Sequence, residues 1–326
     1  MYGARWGHRE VALKVLRGEI GSGDRDRFLA EARLLIEMTH PGVVKVLAAG
    51  SLPDGRPYLA MEKLPGETLA RRLARGPLPL AQAIALFVQL CDAVSAMHAR
   101  SLIHRDLKPE NVMLVVGPSG EHAVLLDFGI AKVATEGVAP PTQSGMVRGT
   151  PAYMAPERFF GHPASIATDV YELAVTLFAM IAGRLPWADS VDPEVRLNPV
   201  RLGALVAVPP ALDELVARAL STRAPNRPPS VSALCDEVVA ASGERGIETV
   251  RTRLRWPLAA AAGVFALAGG IAIYVATRGG PATKLLTGPD DPWSGEGPAP
   301  VLVVDAAVDD GGGPAPLPPE ERAAVR

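Results

Sequence analysis

The sequence predicts an α+β fold of two lobes, a small β-rich lobe followed by a larger helical one, with one membrane-spanning helix near the C-terminus. Three observations carry that expectation. Short β-rich runs surround a single helical stretch before Glu62. From Leu80 onward apolar residues recur with the 3.6-residue period of buried helix faces. Residues 257–277 then form a run of 21 residues without a charge.

In the first lobe, residues 11–15 read as a strand, and residues 25–38 carry Phe28, Leu35 and Met38 at helical spacing. His40-Pro41-Gly42 stops that helix. Residues 43–47 and 58–62 read as two more strands, separated by the turn signal Pro53-Asp54-Gly55. In the second lobe, helices are expected over residues 80–100, 168–183, 211–220 and 230–241. The stretch from Lys132 to Tyr153 is rich in Gly, Pro, Ser and Thr, and too long for an ordinary connection, which points to a functional loop.

With 326 residues, 48% of them apolar and 21% charged, the chain can bury one large core and carry appendages. A net charge of −2 gives no basic excess, so no nucleic-acid partner is expected. Cys91 and Cys235 lie far apart inside apolar helical patterns and read as buried, reduced thiols, not as a disulfide framework or zinc site. Residues 1–6 show no signal peptide, so the folded part is expected in the cytoplasm.

At 1.5 Å per residue, residues 257–277 reach roughly 30 Å and match a bilayer core. Trp256 and Tyr274 sit near the interfaces; Arg251, Arg253 and Arg255 precede the span, and only Arg278 and Lys284 closely follow it. That asymmetry predicts a single-pass protein of the cell membrane, with its large domain cytoplasmic and its tail extracytoplasmic. A buried core helix is the alternative for this Ala-rich span. Ala262, Ala266 and Gly270 form a small-residue row compatible with a homodimer. The tail after Gly279, dominated by Gly, Pro, Ala and Asp, is expected to be disordered.

The chemistry lies in three motifs: His104-Arg105-Asp106-Leu107-Lys108-Pro109-Glu110-Asn111, Asp127-Phe128-Gly129 and Ala155-Pro156-Glu157. With this order and spacing the chain resembles the bacterial eukaryotic-like serine/threonine protein kinases from residue 2 to about residue 241. The resemblance implies a protein-kinase-like fold over residues 1–241, a basic juxtamembrane segment over 242–256, the span over 257–277 and the tail over 278–326. It also implies transfer of the ATP γ-phosphoryl group to serine or threonine hydroxyls of cytoplasmic proteins, with autophosphorylation and Mg2+ as the metal.

Residue by residue, the resemblance makes Asn111 and Asp127 the magnesium ligands and Asp106 the group that orients the acceptor hydroxyl and takes its proton. Lys108 would neutralise charge on the transferred phosphoryl group, and Thr150 would meet Asp106 and Lys108. Lys14, in Val11-Ala12-Leu13-Lys14, would pair with Glu31 and hold the α- and β-phosphates. The backbone of Glu62 and Leu64 would bind adenine, with Met61 behind it. Val46, Leu35, Phe128 and His104 would stack as one apolar column. Arg105 would receive a phosphate placed on Thr142 or Ser144. Glu157 would pair with Arg227, and Asp169 would hold the catalytic-loop backbone.

One element of the family pattern is not found. Only 13 residues precede Lys14, and Tyr2-Gly3-Ala4-Arg5 resembles the return strand of the glycine-rich loop, so the small lobe is expected to lack its first strand and that loop. Three readings follow: a kinase whose true start lies upstream, a weak enzyme as written, or a pseudokinase serving as a membrane-anchored nucleotide- or protein-binding module. The intact set of Lys14, Asp106, Asn111 and Asp127 favours the first.

Overall fold

The computed structural model describes residues 1–6, 9–16, 22–52, 55–117, 120–129, 151–187, 193–243, 286–287 and 302–307. The small lobe is an antiparallel sheet built on β1 (Tyr2–Trp6), β2 (Arg9–Val15), β3 (Val46–Ser51) and β4 (Pro57–Glu62). Strand alternation sorts its side chains. Ala4, Val11, Leu13, Ala48, Tyr58 and Ala60 form a cluster on one face. On the other, Val46, Leu59 and Met61 join the main core, where Phe28, Ala32, Leu35 and Ile36 of helix α1 (Ser22–Ile36) also lie. Complete burial of Phe28 contributes roughly 2 kcal/mol to holding that core together.

The strand expected at residues 43–47 begins only at Val46. Val43 and its neighbours are taken by the large lobe: the Val44 amide donates to the Leu125 carbonyl, and the Leu125 amide to the Gly42 carbonyl, both at 2.9 Å. A Cβ on Gly42 would stand 3.0 Å from the Ala93 methyl, so a side chain at this crossing between the lobes would have to displace Ala93 by a few tenths of an ångström.

A short strand and helix, β5 (Glu67–Thr68) and α2 (Leu69–Leu73), lead into the large lobe. Its frame is α3 (Leu80–His98), the short α4 (Pro156–Phe159), α5 (Ile166–Ala182), α6 (Pro210–Ala219) and α7 (Val231–Ser242). Helix α5 runs through the centre, buried continuously from Thr168 to Ile181. It starts at a capping box, in which Ser165 and Thr168 satisfy each other's amides, and stops at Gly183, whose φ of 71° suits glycine. Helix α3 is long and apolar enough to cross a membrane, but it packs against α5 and α7 as a core helix. Cys91 and Cys235 are both buried and form no disulfide. The hairpin β6 (Val112–Gly117) and β7 (Gly120–Leu125) joins β5 in a second sheet at the junction with the small lobe. Beyond α5, Arg201 forks onto Asp213 and Glu214 at the surface.

The tail departs from expectation. Residues 286–287 form β8 and residues 302–307 form β9, antiparallel to β3 and β1 respectively, giving the order β8-β3-β4-β2-β1-β9. Disorder is therefore corrected to strand at these positions. The Gly/Pro-rich composition of the whole tail masked the run Val301-Leu302-Val303-Val304, whose β-branched residues suit a pleated edge. The outer side of β1 is covered by β9, with Tyr2 opposite Ala307 and Trp6 opposite Leu302. The proposed span, residues 257–277, lies outside the described residues.

Deleting residues 302–307 is expected to accelerate amide exchange across β1 at least tenfold while leaving β4 protected, because β4 keeps both its neighbours. Hydrogen-exchange mass spectrometry measures this directly.

Candidate active site

The site is assembled where the segment between α3 and β6 crosses beneath the small lobe. Two amides of that segment, His104 and Arg105, donate to the carboxylate of Asp169 on α5, each at 2.9 Å. The same carboxylate lies 2.7 Å from His98 Nε2 at the end of α3. This grip holds Arg105 at φ 68°, a left-handed conformation that a non-glycine residue adopts only when its surroundings impose it.

Asp106 follows, its carboxylate 3.1 Å from Lys108 Nζ and 2.9 Å from Asn111 Nδ2. Asn111, in a single 3₁₀ turn over Pro109–Asn111, also donates Nδ2 to the Asp106 carbonyl at 2.8 Å. With the amide nitrogen so committed, Asn111 Oδ1 is the atom left for a cation. The Asn111 carbonyl accepts from the Leu126 amide at 2.9 Å, fixing the start of the Asp127-Phe128-Gly129 segment. Gly129 donates to the His104 carbonyl, and a Cβ there would sit 2.7 Å from that oxygen, which excludes any larger residue.

Asp127 in turn pairs with Lys14 of β2. Lys14, Asp106, Lys108, Asn111 and Asp127, drawn from both lobes, thus belong to one connected polar network. Leu35, Val46, Phe128 and His104 are all buried, and the His104 and Phe128 rings stand 6.1 Å apart.

One expected pair is not the one formed. Among the described residues Lys14 pairs with Asp127, while Glu31 accepts from the Arg105 guanidinium at 3.0 and 3.2 Å. A single guanidinium nitrogen, Nη1, reaches both Glu31 oxygens, from a loop that Asp169 fixes in place. Spacing along the chain could not rank two cations competing for one carboxylate.

Met61 is buried at the end of β4, and Leu64 packs against the core. The Glu62 amide donates to the Lys45 carbonyl at 3.0 Å, and its side chain accepts from the Lys45 amide at 3.1 Å. The acceptor candidates Thr142, Ser144 and Thr150 lie outside the described residues.

Glu157 and Arg227 meet in a bidentate pair at 2.9 and 2.8 Å, with Thr168 Oγ1 also donating to Glu157 at 3.0 Å. Burial raises the Glu157 carboxyl, but the hydrogen bonds and charge of Arg227 outweigh it and leave the group below its ordinary value. Burial pushes the Tyr153 and Tyr171 hydroxyls up, so both stay neutral. The sequence reading passed over Arg196, whose guanidinium lies between the rings of Phe159 and Trp187, 4.5 and 4.7 Å from their centres. It also passed over Glu172, whose Oε2 accepts from the Leu107 amide at 2.8 Å. The signal for Glu172 in the sequence is a second acidic residue, three positions after Asp169, in a helix that is mostly apolar.

A β-rich lobe over a helical lobe, with a lysine, two aspartates and an asparagine joined across the cleft, defines the protein-kinase class of fold. The protein kinase domain family matches residues 3–238, and the chain belongs to that family, in its bacterial serine/threonine branch. It is 38% identical over 245 residues to the serine/threonine-protein kinase pkn2 of Myxococcus xanthus, covering 72% of this chain and 29% of that protein. It is 42% identical over 187 residues to the serine/threonine-protein kinase PknA of Mycobacterium tuberculosis, covering 55% of this chain and 42% of that one. The chain spans less than half the length of the curated relatives it matches. The kinase domain of Mycobacterium tuberculosis PknI superposes with a TM-score of 0.58 at 28% identity, over 72% of this chain and 86% of that one. Rad53, crystallised with AMP-PNP, shares the fold alone, with a TM-score of 0.55 at 18% identity, over 71% of this chain and 58% of that one.

Replacing Arg227 with Ala takes the guanidinium from the partly buried Glu157 carboxylate, and about 3 kcal/mol of stability is expected to be lost at pH 7. Because the folded Glu157 pKa lies below its unfolded value of 4.5, the pair's contribution is fully present above that pH and fades as pH falls through the folded value. The stability gap between parent and R227A is therefore expected to narrow on acidification below about pH 4.5, as measured by denaturant melts across pH.

Proposed function

We propose that this chain transfers the γ-phosphoryl group of ATP to serine or threonine hydroxyls of cytoplasmic proteins, itself included. The observation that carries this reading is the continuous network from Lys14 through Asp127, Leu126 and Asn111 to Asp106 and Lys108. Membership of a family whose curated members are serine/threonine-protein kinases supports the same class of reaction.

In this mechanism an acceptor hydroxyl binds against Asp106, whose carboxylate takes its proton as the oxygen attacks the γ-phosphorus. The bond from the γ-phosphorus to the β-bridging oxygen breaks, and ADP leaves. Lys108, already 3.1 Å from Asp106, screens negative charge on the phosphoryl group as it moves. Lys14 holds the α- and β-phosphates, exchanging Asp127 for phosphate oxygens. The Glu62 carbonyl and Leu64 amide would hold the adenine edge, since the Glu62 amide is committed to Lys45.

The donor set fits magnesium. Asp127 and Asn111 Oδ1 offer two hard oxygen ligands, and no cluster of three acidic, His or Cys side chains lies among the described residues. Such a pair suits a small cation that keeps waters and takes its remaining ligands from substrate phosphates. When bound, the ion supplies charge neutralisation on those phosphates. Regulation is proposed through Arg105, with a phosphate on Thr142 or Ser144 as its counter-charge and Thr150 facing the acceptor site.

Residues 257–277 support a further reading, a single membrane crossing with the small-residue row available for a homodimer. A crossing would put residues 302–307 across the bilayer from β1, so the β1–β9 ladder belongs to the uninserted chain.

Asp106→Asn is expected to lower phosphate incorporation into a serine- and threonine-containing protein by about 10²–10⁴-fold while MgATP binding persists. Incorporation equal to the parent would refute the role given to Asp106. Membrane fractionation tests anchoring: the full chain should sediment with membranes and a form lacking 257–277 should not.

A further inference from the structure

Leu107 stands between Asp106 and Lys108, and it is 2% exposed, so its amide has no ready access to water. That amide donates to Glu172 Oε2 at 2.8 Å, and Glu172 is itself 2% exposed. A buried carboxylate carries a large desolvation penalty and persists where fixed donors compensate it. Charge-assisted bonds from amide to carboxylate are roughly twice as strong as neutral ones.

Glu172 lies three residues after Asp169, on the same face of α5. The two carboxylates divide the work along one short stretch of backbone. Asp169 takes the amides of His104 and Arg105, ahead of Asp106; Glu172 takes the amide of Leu107, after it. The Asp106 amide itself reaches His104 Nδ1 only at 3.4 Å, a weak bond. The backbone bearing the Asp106 carboxylate is thus clamped on both flanks by one buried helix, whose ends are fixed by the Ser165 capping box and Gly183.

We propose that Glu172 is a positioning residue for phosphoryl transfer, holding the Leu107 amide so that Asp106 stays aimed at the acceptor hydroxyl. The proposal rests on the kinase reading above. Without this acceptor the peptide after Asp106 can rotate, and the strained left-handed Arg105 beside it gives the loop a conformation to relax from. The groups assigned to the nucleotide itself sit elsewhere, on β2, at the end of β4 and after β7; of the MgATP ligands only Asn111 touches the clamped peptide, through the Asp106 carbonyl. Losing the clamp should therefore slow turnover far more than it weakens nucleotide binding.

The test uses the full chain as Glu172→Ala and Glu172→Gln. Amide exchange is read residue by residue, alongside thermal melting, kcat and KM for MgATP. In E172A the Leu107 amide is expected to exchange at least about tenfold faster, with His104 and Arg105, still held by Asp169, changing less than about threefold. The kcat should fall about tenfold or more with KM for ATP within about twofold. Gln keeps an acceptor oxygen but loses the charge, so E172Q should fall between parent and Ala in both Leu107 exchange and kcat. Should E172A fail to fold, the near-isosteric E172Q carries the test alone, expected to show both effects at about threefold.

Parent-like Leu107 exchange in a folded variant would overturn the proposal. So would kcat and ATP affinity falling together in step with melting temperature, the mark of a merely structural residue. If the parent itself shows no Asp106-dependent transfer, the kinase reading fails, while the exchange measurement still decides whether Glu172 holds the loop.

Discussion

The carboxylate of Asp169 is the contact on which the site depends. Fully buried, it accepts the amides of His104 and Arg105 and lies within hydrogen-bond distance of His98, so two backbone donors and an imidazole nitrogen surround it in place of water. It can do so because α5 is buried along almost its whole length and cannot shift without opening the core. Rigidity established by apolar packing is thereby passed to a loop with no regular structure of its own. The left-handed backbone of Arg105 is tolerable only under that restraint.

From this anchor the lobes are joined by two different kinds of link. Backbone bonds between Gly42, Val44 and Leu125 tie the chain ahead of β3 to the end of β7, and they leave little freedom because Gly42 lies against Ala93. The second link, Arg105 to Glu31, connects the catalytic loop to α1 through long side chains, with the Glu31 side chain 22% exposed. Main-chain bonds of the first kind define where the cleft lies. Side-chain pairs of the second kind can exchange partners at small cost, since partly exposed ion pairs contribute little individually.

Much of this was legible in the chain itself. Motif spacing brought Asp106, Lys108, Asn111 and Asp127 together, and it foresaw the pairing of Glu157 with Arg227 and the hold of Asp169 on the catalytic loop. Helix periodicity found α3, α5, α6 and α7 to within a few residues, because each buries a continuous apolar face. The failures share one physical origin, competition between partners distant in sequence. Glu31 had two cations in reach, and the residues after Gly42 had a choice between the small-lobe sheet and Leu125. Residues 302–307 had an open strand edge far back in the chain. Glu172 was hidden differently: hydropathy averages it into an apolar helix, and only its burial beside a backbone amide gives it meaning.

Arg196 and Arg201 fasten neighbouring stretches of the large lobe by different physics. Arg196 is sealed between two aromatic rings, where its attraction comes from ring quadrupoles across van der Waals contact. Arg201 is itself half-exposed where it reaches the partly buried Asp213 and the exposed Glu214, so mobile ions compete for its charge. Brine would therefore loosen one rivet and leave the other seated. In a halophilic or desiccating setting, the stretch through residues 193–197 would keep its place, and the turn at 202–204 would lean on buried Leu202 and on the Gly203 amide that donates to Asp213.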